Sequence, residues 1–66
     1  MIGTRIKEYL TEHGIKQSYL AEKIGVTNSV MSDICINDRK IECQEYYKIC
    51  QALDVPYDYF MEKEED

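Results

Sequence analysis

The sequence predicts one small all-α domain of five short helices, and three observations carry that expectation. Apolar residues recur at helical spacing, with Ile2, Ile6, Tyr9 and Leu10 at i, i+4, i+7 and i+8, and Leu20, Ala21 and Ile24 at i, i+1 and i+4. Backbone breakers separate the apolar stripes: Gly14 and Gly25 can turn left-handed, and Pro56 cannot donate a backbone hydrogen bond. Finally, 66 residues with 44% hydrophobic content can enclose a single core, of the size that usually contributes only a few kcal/mol. The domain is expected to span 1–61, with 62–66 as an acidic C-terminal tail.

Taken in order, the N-terminal stripe predicts an amphipathic first helix closed by Gly14, after which Ile15 enters the core. Lys16 stands where a helix N-cap needs an acceptor. An ammonium group only donates, so the second helix should begin uncapped and fray slightly. The stretch 16–34, KQSYLAEKIGVTNSVMSDI, then reads as two short helices joined by a tight turn at Gly25. The small Ala21 lets one helix approach the other closely, Val26 is a buried linker residue, and Thr27 can cap the following helix. In that third helix Met31, Ile34 and Cys35 lie inward, while Asn28, Ser29, Ser32 and Asp33 form a polar outer face. Short amides and hydroxyls on such a face suit a DNA major groove roughly 12 Å wide, where they can bond base edges.

Between 36 and 41, INDRKI has no helical period and reads as a loop, with Asn37 suited to a left-handed turn. A fourth helix over 42–53 should place Cys43, Tyr46 or Tyr47, Cys50 and Leu53 inward, with Ile49 beside them. Asp54, Val55 and Pro56 interrupt it. A fifth helix over 57–61 should bury Phe60. Tyr57, Tyr59 and Met61 exceed what one small core absorbs, so they are expected to form an interface.

Gln17, the Leu20–Ala21 pair, the turn residue Gly25 and the apolar pair Met31 and Ile34 together resemble the helix-turn-helix of the phage repressor and Cro-like (XRE-type) DNA-binding proteins. The likeness extends to 6–14, similar to that family's first helix, and to 48–60, similar to its fourth helix leading into the fifth. The resemblance implies a compact five-helix lambda-repressor-like DNA-binding domain, acting as a sequence-specific transcriptional regulator on a palindromic double-stranded operator, as a homodimer. A protein-interaction module or antitoxin on the same fold is the alternative. By the same resemblance Gln17 binds phosphate at the start of its helix, and Arg39 and Lys40 grip the backbone after the recognition helix. Base readout is then expected from Thr27, Asn28, Ser29, Ser32 and Asp33. Asn28 can bond adenine in a bidentate manner. Asp33 departs from the donor usual in relatives and either accepts from a cytosine amino group or pairs with a nearby Lys or Arg. Leu10 replaces a polar or basic residue, which removes one phosphate contact, and Tyr19 replaces a charged one, either reaching a phosphate or covering the surface.

A formal net charge of −5 looks adverse to binding a polyanion, yet its distribution matters more. Residues 16–40 are net positive by one, whereas 41–66 carry eight acids against two lysines. Three cysteines, Cys35, Cys43 and Cys50, without secretory features are expected to be buried thiols and not a disulfide framework. Zinc does not fit, because Cys43 and Cys50 stand about 10 Å apart along a helix. His13, the single histidine, is expected to be an ordinary core or surface residue. Neither cofactor nor metal is expected, and no spacing of nucleophile, base and acid points to an enzyme. The absence of an apolar run of roughly 20 residues, and of an apolar start, points to a cytoplasmic protein without a membrane span.

Overall fold

The computed structural model describes residues 2–37 and 39–61; Asp38 and the acidic tail 62–66 lie outside the described residues. Four helices follow one another: α1 (Ile2–Glu12), α2 (Gln17–Ile24), α3 (Asn28–Cys35) and α4 (Cys43–Leu53). Helix α2 packs against both α3 and α4, and α1 packs against α3. Ile6, Leu10, Leu20, Met31, Ile34, Ile49 and Phe60 are almost completely buried at their meeting point.

Three of the four helices stop by the same local device. Gly14 (φ 65°), Gly25 (φ 80°) and Asp54 (φ 58°) take left-handed backbone. In each case the next amide reaches back five residues, Ile15 to Leu10 at 2.8 Å, Val26 to Ala21 at 3.0 Å and Val55 to Cys50 at 3.0 Å. That bond satisfies a carbonyl that the helix end leaves unpaired, and it delivers an apolar residue, Ile15, Val26 or Val55, against the core. Chain reversal and core closure are therefore one event at each corner. Asp54 performs it without being glycine, and is the non-glycine residue with positive φ among those described. Asn37, expected to turn left-handed, does not.

The expected fifth helix is absent among the described residues. Residues 57–61 form successive turns, with Tyr59 donating to the Pro56 carbonyl at 3.0 Å and Met61 to the Asp58 carbonyl at 3.2 Å. Five residues are too few to nucleate a helix alone, and tertiary bonds compete for their backbone. The Phe60 amide donates to the Tyr46 hydroxyl at 3.3 Å, and the Met61 carbonyl accepts from Arg5 Nη1 at 3.2 Å. These bonds lash the turn to α4 and α1 and drive Phe60 inward.

On α4 one open alternative is decided and one expectation is corrected. Tyr46 is the buried tyrosine of the adjacent pair and Tyr47 is about half exposed, because Tyr46 stands three, four and seven residues before the buried Ile49, Cys50 and Leu53 and so shares their face. Cys43, the first residue of α4, is exposed, while Cys35 and Cys50 are buried. Leu10 is also a core residue, so its position offers nothing to a phosphate. No described helix is long and apolar enough to cross a membrane.

Candidate nucleic-acid interface

Helix α3 is held from within and open from without. Its inward residues Met31, Ile34 and Cys35 are buried, and Cys35 Sγ lies 3.9 Å from Met31 Sδ. Burial pushes the Cys35 thiol above its ordinary pKa, against a smaller opposing pull from Lys7, which keeps it a neutral packing group. On the outer side Thr27, Asn28 and Ser29 are exposed, and Ser32 and Asp33 are half-buried. Thr27 is the N-cap, its Oγ1 accepting from the Val30 amide at 3.2 Å. That bond uses an acceptor lone pair and leaves the hydroxyl hydrogen able to donate.

Asp33 pairs with no Lys or Arg among the described residues. Its Oδ1 accepts from Asn37 Nδ2 at 2.9 Å, and its carbonyl accepts from the amides of Asn37 at 3.1 Å and Arg39 at 3.0 Å. The residue therefore ties off the end of α3 and aims the following loop. Asn37, read from sequence as a turn former, is the partner that sequence reasoning missed; its place four residues after Asp33 was the available signal.

Arg39 and Lys40 follow at once and are both exposed. Arg39 Nη1 lies 3.1 and 3.4 Å from the two carboxylate oxygens of Glu45, whose Oε1 also accepts from the Glu42 amide at 3.1 Å. Partial burial alone would raise the Glu45 pKa. The Glu42 amide, the Arg39 guanidinium and the more distant Lys48 charge together outweigh it and hold the carboxyl below its ordinary value. Thus one member of the basic pair is already engaged within the chain.

Gln17 opens α2, whose N-cap Lys16 makes no side-chain bond, as its ammonium requires. With Lys16 supplying no side-chain acceptor there, the α2 N-terminus presents amides and a positive dipole end to an anion. Tyr19, two residues after Gln17, is about half exposed with Lys23 Nζ 5.6 Å from its ring centre. Tyr57 and Tyr59 lie on the C-terminal turns and are also about half exposed, whereas Met61 is half-buried against the core. Tyr57 packs edge-on against Tyr46 at 4.9 Å, and Tyr47 lies 6.4 Å from it, so Tyr47 belongs to the same aromatic surface.

The profile of the helix-turn-helix family matches residues 6–60. The chain belongs to the helix-turn-helix family. The HTH-type transcriptional regulator SinR of Bacillus subtilis is 45% identical over 56 residues, covering 83% of this chain and 50% of that protein. This helix-turn-helix chain therefore spans about half the length of the curated relatives it matches. A crystal structure of SinR, the master regulator for biofilm formation, in complex with DNA superposes with a TM-score of 0.81 at 40% identity, over 94% of this chain and 100% of that one. A SinR protein/SinI protein complex superposes with a TM-score of 0.81 at 39% identity, over 96% of this chain and 62% of that one. In helix-turn-helix terms α2 is the first helix of the motif and α3 the second, with the turn at Gly25 between them.

Proposed function

We propose that this chain is a sequence-specific DNA-binding transcriptional regulator that lays α3 in the major groove of a palindromic operator. The observation that carries this reading is the division of α3 into a buried apolar face and a polar face of exposed Asn28 and Ser29 and half-buried Ser32, on a backbone that matches a relative solved with DNA. Asn28, Ser29, Ser32 and the free donor of Thr27 read bases. Asp33 contributes chiefly its Oδ2, since Oδ1 already accepts from Asn37. Gln17, Lys40 and Arg39 position the duplex through phosphates, with Arg39 exchanging Glu45 for the DNA. The function is binding and not catalysis, and its place is the cytoplasm, with the genome.

The folded domain is 1–61, and the acid of 62–66 is a tail that keeps the C-terminal end away from the polyanion. Two copies join through Tyr57, Tyr59 and Met61, with Tyr47 extending the patch. Aromatic residues and Met are favoured in interface cores, and a two-fold contact uses one patch twice. A protein partner is a second reading, favoured by the SinR/SinI complex.

Selection of bound duplexes from a random pool at stated salt tests the proposal. Enrichment of a two-fold motif, with affinity falling steeply as salt rises, is the expected result. A pool that stays random at every salt concentration would overturn it in favour of the protein-interaction reading.

A further inference from the structure

Ile36 is 56% exposed, more than any of the exposed tyrosines 19, 47, 57 and 59, and unlike them it has no polar tip to offer water. In sequence it belongs to the loop. In the structure it keeps right-handed helical backbone at φ −116° and ψ −41°, and its amide donates to the Ser32 carbonyl at 2.8 Å. Ile36 therefore prolongs α3 by one position. At about 100° per residue its side chain leaves the axis about 20° from Ser29 and about 40° from Ser32, on the outer face one turn further along. Its branched Cβ restricts it to few rotamers, so little freedom remains to be lost on binding. Asp33 is drawn to Asn37 and does not fold over it.

We propose that Ile36 determines specificity by packing against the C5-methyl of a thymine in the major groove. This inference rests on the DNA-binding reading above. The thymine methyl is the apolar group that a base pair presents in that groove, and the remainder of the α3 outer face is polar. An apolar side chain there gains from a thymine and gains nothing from the bare edge of a cytosine.

The test uses the whole chain and a duplex recovered from the random pool, with each thymine replaced in turn by deoxyuridine, which removes only the methyl. At one position in each half-site the wild type should lose about fourfold in affinity, the worth of roughly one methyl group withdrawn from apolar contact. Ile36→Ala should bind more weakly and show no further loss at that position, while Ile36→Val retains part of it. Because the side chain is exposed, thermal melting should be unchanged in both variants. Methyl sensitivity that persists in Ile36→Ala, or a wild type indifferent to every replacement, overturns this role alone. A wild type that recovers no sequence and shows no salt-dependent binding overturns the DNA reading as well. A change in sedimentation caused by Ile36→Ala would assign the side chain to a protein contact and overturn the role too.

Discussion

Asn28 and Gly3 show how differently two small positions bear on α3. Asn28 is exposed at the first turn of α3, where its side-chain amide faces solvent and is available to a ligand. Asn28→Ala should leave thermal stability nearly unchanged and cost about 1–3 kcal/mol of discrimination at one base pair, read by competition between operator variants. Unchanged sequence preference would mean that the reading face lies elsewhere on the helix. Gly3 is buried in α1, and a Cβ added there would collide with the Ile34 carbonyl oxygen and come within 3.2 Å of its carbon. In an isolated helix Gly3→Ala would gain up to about 1 kcal/mol. Here the obstacle is backbone and cannot rotate away, so overpacking of about 1–3 kcal/mol should dominate, lowering the urea midpoint. A midpoint that rises would show that α1 and α3 can separate without cost.

Between α3 and α4 the chain is set by a short polar relay, from Asn37 to Asp33 and from Arg39 to Glu45. Replacing Arg39 and Lys40 together with Ala should weaken specific and non-specific DNA binding alike. Every phosphate that goes unneutralised as a result should flatten the slope of log affinity against log salt by roughly one, measured in a salt titration. Arg39 must first leave Glu45, so Lys40→Ala alone should cost more affinity than Arg39→Ala alone. The same pair predicts a pH dependence of stability. The folded Glu45 carboxyl titrates below its unfolded value, so its contribution is fully present at neutral pH and is lost as pH falls through the folded value, in acid below the ordinary carboxylate range. Urea unfolding of wild type and Glu45→Gln should differ at pH 7 and converge in that acidic range. A gap that stays constant with pH would exclude the ionised carboxylate as its cause.

One short recognition helix covers few base pairs, and a chain of net charge −5 has little positive field with which to hold DNA alone. Two copies on a two-fold site combine their contacts into one binding event. The aromatic surface through Tyr47, Tyr57 and Tyr59 is the expected seam, and Tyr59 itself is anchored edge-on against Tyr9 at 5.6 Å and Phe60 at 5.0 Å. Tyr59→Glu should turn a dimer into a monomer in sedimentation at micromolar concentration, while circular dichroism retains the helical content. Two copies of net charge −5 repel one another, so added salt should tighten the wild-type dimer even as it weakens DNA binding. A wild type that sediments as a monomer and still binds a two-fold site normally would dispose of the seam.

Apolar periodicity and chain-breaking residues are local properties, and they were enough to place α1 to α4, the stops at Gly14 and Gly25, the Thr27 cap and the two faces of α3. The same local signals misjudged 57–61, where apolar content resembles a helix but the amide of Phe60 is claimed by Tyr46 and the carbonyl of Met61 by Arg5, 14 and 56 residues distant. Neither bond leaves a trace in nearby sequence. Asp54 took the left-handed corner expected of Asn37, because Val55 had core to enter beyond it whereas Asn37 was drawn back to Asp33. Tyr46 was separated from Tyr47, and Arg39 from Lys40, only once α4 had a definite rotation toward the core. Burial and charge pairing of that kind depend on which surfaces meet, and periodicity constrains each helix while leaving that choice to the packed whole.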